Sequence, residues 1–276
     1  MKKLLAILFV LFSTVAVYAQ KDTDTTESIY IPDRPGYTYN AHLVGLHRMD
    51  VELGFGYNYQ NYFEKTNIFY NTTYFRYGAF KWLEFRYGVE FGSIATPTYN
   101  VYGVRGVNIG FKIPILVDVK YAPDIAIIAT TYLPNIGPNP TDTTQGFAIP
   151  NYAPSVNLAL QKCFFDKLVL FGNTGFFYDG FNPYIQYNSS LAAYLFVSQK
   201  CAVFVETMVM YSNGHAPNNM GDAGLVYYIT DNIQWDLSFG VNYVKGLDNS
   251  FVNSGISWRF PKGHKKVCHT TMPNCK

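Results

Sequence analysis

Ser212-Asn-Gly-His215 is a stretch of this chain that could assemble a nucleophile. A serine activated by a histidine, with a polar group orienting the base, cleaves acyl esters. Membrane-embedded acyl hydrolases of that type carry the histidine two residues before the serine, and here that position is Met210. Asn-Gly is also a strong turn pair, so the stretch reads as a loop. His42 and His47 are spaced so that on a strand they would point to opposite sides, which does not make a ligand pair. They read as turn or interface residues. Four cysteines remain: Cys163, Cys201, Cys268 and Cys275. An exported chain meets an oxidising compartment in which thiols pair. Cys268 and Cys275 lie close together in the tail and are the favoured disulfide. His264 and His269 stand beside them, but the spacing fits no strong metal template, so no metal is assigned. Cys163 and Cys201, each behind a Gln-Lys pair, read as small apolar residues.

A second set of residues stands out by phase. Glu52, Glu84, Arg86, Glu90, Lys112, Glu206, Asp236 and Arg259 fall on the polar side of segments that alternate polar and apolar residues, and Asp222 joins them. On strands, one such face is shared by every second side chain. Charges of both signs lining an interior could filter solutes as rings or ladders. They could equally pair across the interior and close it. Gly54, Gly56, Gly88, Gly92, Gly110 and Gly240 share the same phase and leave room, for a passage or for an inserted segment.

The elements that must position these residues are strands. Ile233, Trp235, Leu237, Phe239, Val241 and Tyr243 alternate with Gln234, Asp236, Ser238, Gly240 and Asn242. The same period of two recurs along most of the chain. Twelve candidate strands follow: 50–60, 66–77, 82–92, 104–115, 124–133, 154–162, 167–177, 184–196, 200–211, 221–229, 233–243 and 250–260. Strands five and seven alternate poorly. Aromatic residues make up 18% of the chain and charged residues 14%, about half the charged share of soluble domains. Lys2 and Lys3, the apolar run Leu4 to Val17 and the small residue Ala19 read as a signal peptide over 1–19, too short for a membrane anchor. A secretion signal followed by repeated amphipathic strands predicts an all-β, antiparallel transmembrane barrel in a bacterial outer membrane. Short links at 78–81, 164–166, 197–200 and 230–232 alternate with longer ones at 93–103, 134–153 and 212–220. Short links on the periplasmic side would place both termini there.

The expected organisation is therefore a signal peptide over 1–19, a polar segment over 20–48, a barrel over 49–260 and a basic tail over 261–276. The polar segment either hangs in the periplasm or folds into the lumen. A net charge of +2, part of it in the signal, gives no basic stripe for nucleic acid. The expected partners are membrane lipids and a small-molecule solute, with no cofactor. The residues do not set an oligomeric state. Strands ten and eleven both point their odd-numbered residues outward, so an odd-numbered loop, Thr230-Asp231-Asn232, is expected between them.

Two segments carry a family resemblance. The first is Ile31-Pro-Asp-Arg-Pro-Gly-Tyr37 followed by Met49-Asp-Val-Glu-Leu-Gly-Phe-Gly-Tyr57. The second runs from Gly221 to Asp236 and is followed by Gly255-Ile-Ser-Trp-Arg-Phe260. The chain resembles, over about 31–260, the outer-membrane proteins grouped with the meta-pathway phenol-degradation family. The resemblance implies a channel or transporter for passive passage of small, apolar or aromatic compounds, without a catalytic motif. The alternative is a structural or adhesive barrel with a closed lumen, using 134–153 as a binding loop. An acyl hydrolase built on Ser212 and His215 is the third reading.

Overall fold

The computed structural model describes residues 30–61, 64–136, 149–165, 167–182, 184–212, 217–242 and 248–260. The expected signal peptide over 1–19, the tail with Cys268 and Cys275, and His215 lie outside the described residues. Twelve antiparallel strands follow one another in chain order. They are β1 (Met49–Asn61), β2 (Lys65–Phe80), β3 (Leu83–Ala95), β4 (Asn100–Leu116), β5 (Asp124–Leu133) and β6 (Ala153–Phe164). The second half comprises β7 (Leu168–Phe177), β8 (Gln186–Phe196), β9 (Cys201–Ser212), β10 (Asn218–Thr230), β11 (Ile233–Asn242) and β12 (Asp248–Phe260). Each strand pairs with its neighbours in sequence, and β1 pairs with β12 from Met49↔Phe260 to Asn61↔Asp248. The barrel is closed, so no strand edge is left unpaired, the condition for crossing lipid with strands.

Period two decides which side chains meet what. Phe55, Leu191, Val205 and Phe239 are exposed by 59–66%, each on the outward phase of its strand. Such an apolar exterior is larger than soluble monomers tolerate, and it is the belt that acyl chains cover. With strands of ten residues or more, the barrel is long enough to span an outer membrane. The inward phase is largely polar and buried.

Strand limits depart from the sequence reading in an instructive way. β4 begins at Asn100 and β10 at Asn218, so the links 93–103 and 212–220 are shorter than read. Ladder hydrogen bonds extend pairing past the point where hydrophobic alternation fades. The turn between β10 and β11 is also corrected. Its loop is the two-residue Asp231-Asn232, because Thr230 pairs with Ile233 and the register shifts between Tyr228 and Thr230. A bulge at Ile229 supplies the extra residue that parity requires. The same device stands between Gly78 and Phe80 before the Lys81-Trp82 turn. On β4 another shift lies beside Pro114, which cannot donate to the ladder.

The end of the barrel where β1 starts and β12 finishes is termed the closing end. Residues 30–48 lie inside it. The segment re-enters the wall through a tight turn in which His47 donates its N–H to the Gly78 carbonyl (2.7 Å). Gly45 and His47 both have positive φ there, and a Cβ on Gly78 would run into the Gly45 carbonyl. One side of the segment packs on apolar rings and chains. Tyr30 joins Val169, Phe171, Tyr194, Phe204, Val226 and Tyr228, while Ala41 and Tyr39 meet Ala126, Ile128 and Ala159. β5 and β7 alternate poorly because they are apolar on both faces: lipid outside, this segment inside.

Candidate functional site

The residues singled out by phase all belong to the inward side. Eight of them, Glu52, Glu84, Arg86, Lys112, Glu206, Asp222, Asp236 and Arg259, are at most 9% exposed, and Glu90 is half-buried. Parity of position within a strand was enough to place them. What they meet was not foreseeable strand by strand, because the partner is the segment 30–48.

At the closing end the meeting point is Asp33. Its carboxylate lies 2.5 Å from Arg86 Nη2, 3.4 Å from Lys112 Nζ and 3.5 Å from Arg76 Nε. Burial pushes the Asp33 carboxyl upward, but Arg76, Lys112 and Arg86 outweigh it and hold the group far below the usual carboxylate range. Arg76 also reaches Glu84 at 2.9 Å and Glu52 at 3.0 Å, and Arg86 reaches Glu84 at 3.0 Å. Lys112 donates to Asn40 O, Asn40 Oδ1 and His42 O. The charges pair through an inserted residue rather than directly across empty space. Buried charges survive only when paired and hydrogen-bonded, and these are.

Further along the segment, Arg34 forms a fork on Asp236, with Nη2–Oδ1 at 2.9 Å and Nε–Oδ2 at 3.3 Å. The room for that guanidinium comes from Gly54 and Gly255, which pair in register across the β1–β12 seam. A Cβ on either would strike Arg34. Of the other inward glycines, Gly56 and Gly88 are filled by Tyr70 and Tyr74, and Gly240 by Phe251. Arg259 stacks over the Tyr30 ring at 4.7 Å.

The backbone of the segment is satisfied by side chains of the wall. The N–H groups of Asp33, Tyr37, Tyr39, Ala41 and Val44 donate to Glu52, Glu206, Asn173, Gln161 and Glu84. Buried main-chain groups need partners, and here the lumen supplies them where a sheet would otherwise do so. Thr38 Oγ1 bridges Ser190 Oγ (2.8 Å) and Glu206 Oε1. His42 Nε2 closes the row on Asp124 at 2.8 Å.

Deeper in the barrel the population changes. Glu206 and Asp222 face each other in register on β9 and β10. Glu90 accepts the hydroxyls of Tyr74 (3.2 Å) and Tyr132. Amides line much of the remainder: Asn108, Asn242, Asn249 and Asn253 are buried and inward.

Sequence reasoning missed Asp50 and Arg76, both 2% exposed and inward. Their phase gives them away, since Asp50 precedes Glu52 by two and Arg76 pairs with Arg86 in register. Asp33 and Arg34 had only the Pro32-Asp33-Arg34-Pro35 run as a signal. Two further readings change. Cys163 is disulfide-bonded, not a small apolar filler, while Cys201 is a free thiol. Ser212 is the last residue of β9 and pairs with Gln186.

Solved structures share this architecture at low identity. An outer-membrane channel from Pseudomonas putida F1 superposes with a TM-score of 0.64 at 12% identity, covering 82% of this chain and 99% of that one. The translocator domain of the autotransporter NalP from Neisseria meningitidis gives 0.52 at 10% identity, covering 94% and 98%. The KdgM porin, solved with disordered oligogalacturonate, gives 0.51 at 9% identity, covering 76% and 100%. No functionally curated protein matches the sequence. A family model does, over residues 32–260, so that the match takes in the inserted segment as well as the barrel. The chain therefore belongs to the family described as "Putative MetA-pathway of phenol degradation".

Proposed function

We infer that this protein is an outer-membrane channel for passive passage of small molecules, with residues 30–48 as its restriction. One observation carries the reading: the lumen is wide enough to hold a length of chain that is not part of the wall. A barrel filled by its own side chains has no such space. Apart from the backbone bonds of His47 and Arg48 with Gly78 at its root, the inserted segment is held by side chains and not by strand pairing, so it can be displaced without opening the barrel. The structural relatives include a channel and a porin, which supports passage, and the family description favours small aromatic compounds as solutes. The lumen-facing charges Glu52, Glu84, Arg86, Lys112, Asp236 and Arg259 then act mainly by fixing the segment, Glu90 and Asp222 by facing the solute, and Glu206 by doing both.

The reading is non-enzymatic and needs no cofactor. It places the closing end, with both termini, in the periplasm. The second reading is a barrel with a permanently closed lumen whose loops bind partners. The dense ion-pair set around Asp33 is the observation in its favour. Liposome swelling with the refolded protein separates the two. Swelling faster than protein-free liposomes, ranked across small sugars and a small aromatic acid, supports passage. Absence of swelling, with heat-modifiable gel mobility proving a folded barrel, supports the closed form.

A further inference from the structure

Charges in the lumen are sorted by depth. Toward the closing end, every described inward cation meets a partner: Arg34 on Asp236, Arg76 and Arg86 on Asp33 and Glu84, Lys112 on Asp33, and Arg259 over Tyr30. On the side of the segment away from the closing end the described inward carboxylates are Glu206, which also holds Tyr37 and Thr38, with Asp222 and Glu90. None of these three forms an ion pair among the described residues. Two basic residues border this region: Arg34, engaged by Asp236, and Arg105, exposed at the β4 register shift.

The Glu206–Asp222 pair is the sharpest part of this. The two residues are directly opposite on adjacent antiparallel strands, where Cβ atoms stand about 5 Å apart and like charges repel. Glu206 is 6% exposed and Asp222 8%. Glu206 accepts from Tyr37 N–H at 2.7 Å and from Thr38 Oγ1, so its acceptor positions are used by the segment. Asp222 Oδ2 is buried with no donor on it, and the only carboxyl-to-carboxyl neighbour among the described residues is the facing Glu206. The Tyr37 ring meets Phe251 edge to face at 5.9 Å, and its hydroxyl interacts with Tyr70 and both carboxyls. From the other elements, Tyr194 of β8 and the Arg34–Asp236 pair on β11 complete the surroundings. Two facing carboxyls, an oxygen with no donor on it and flanking aromatic faces together provide what a small cation needs.

We propose that the lumen alongside and beyond the inserted segment selects small cations over anions, with Glu206 and Asp222 as the position where the cation is held. The proposal rests on the channel reading only for its transport consequence. Asp222 is the diagnostic residue, because its replacement by Asn leaves the Tyr37 and Thr38 contacts of the segment in place.

The test is the reversal potential of the folded full chain in planar bilayers under a potassium chloride gradient. Wild type is expected to reverse toward the potassium equilibrium potential, and D222N to lose most of that preference, a several-fold drop in the potassium-to-chloride permeability ratio. Equal ratios in wild type and D222N, or anion preference in wild type, overturn the proposal while leaving passage intact. A wild type that conducts nothing refutes the channel reading instead. The cation position is then read on the same folded protein in detergent by tyrosine-sensitised terbium luminescence. A signal lost in D222N supports the site. A signal unchanged in it overturns the site and points to a proton shared between the two carboxyls.

Discussion

Replacing Asp33 by Ala removes the carboxylate on which three buried cations converge. Arg76 and Arg86 keep Glu84, at 2.9 and 3.0 Å, and Arg76 keeps Glu52 at 3.0 Å. Lys112 is left with the carbonyl oxygens of Asn40 and His42 and the Asn40 amide oxygen. It is 0% exposed, so its charge stays buried with Glu84, opposite it in register, as the remaining carboxylate neighbour. Removing one partner of a buried ion pair costs about 3–5 kcal/mol, and the remaining Glu84 contacts favour the low end. With each 1.4 kcal/mol worth roughly tenfold in an equilibrium, about 3 kcal/mol lowers the ratio of inserted to released segment roughly 100-fold. The wall itself loses no ladder hydrogen bond, since Asp33 lies outside every strand. The variant should therefore remain a heat-modifiable barrel while its segment becomes accessible. Chymotrypsin cleavage after Tyr37 and Tyr39 should speed up by one to two orders of magnitude, and bilayer conductance should rise. Cleavage at the wild-type rate in a folded Asp33→Ala barrel would refute the claim that this cluster holds the segment.

Three other perturbations follow from the same geometry. Gly54→Val fills the slot used by Arg34 and should release the Arg34–Asp236 fork, giving the same protease sensitivity without touching a charge. Val205→Arg places a cation on the lipid face, where Val205 is 60% exposed, and should cost about 2–4 kcal/mol near midplane in denaturant refolding from lipid vesicles. In the link after β7, burial would raise the Asp179 carboxyl, but hydrogen bonds from Asn182 N–H, the Asn182 side chain, Phe181 N–H and Gln186 hold it below its usual value. A lowered folded value means the stabilisation is fully present above the ordinary aspartate range and fades as pH falls below it. Amide exchange at Phe181 and Asn182, extrapolated to a common intrinsic rate, should accelerate at acid pH in wild type and at all pH values in Asp179→Ala.

The barrel was legible in the sequence because lipid enforces period two from outside. Phe55 and Val205 can face only acyl chains, so their neighbours Gly54 and Glu206 must face in. Period two also located Glu84, Arg86, Lys112 and Asp236 on the lumen side. It said nothing of their partners, because Asp33 and Arg34 sit in a segment with no periodicity at all. The turn at Asp231-Asn232 was misread by one residue, since parity demands an extra residue but is indifferent to whether a loop or a bulge supplies it. Strands five and seven looked weak for a physical reason: Ile128 and Val169 are inward and apolar because they pack on the segment. Cys163 carried no sequence mark of its disulfide.

On the channel reading, solutes pass where residues 30–48 now lie. Thr38 Oγ1 and Ser190 Oγ are 2.8 Å apart, so Thr38→Cys with Ser190→Cys brings two thiols within bonding distance between the segment and β8. Liposome swelling would be measured with this variant oxidised and then reduced, alongside wild type taken through the same treatment. The account predicts that swelling falls to the protein-free level on oxidation and returns on reduction, with wild type unchanged. Equal swelling in both states of the cross-linked barrel would contradict it.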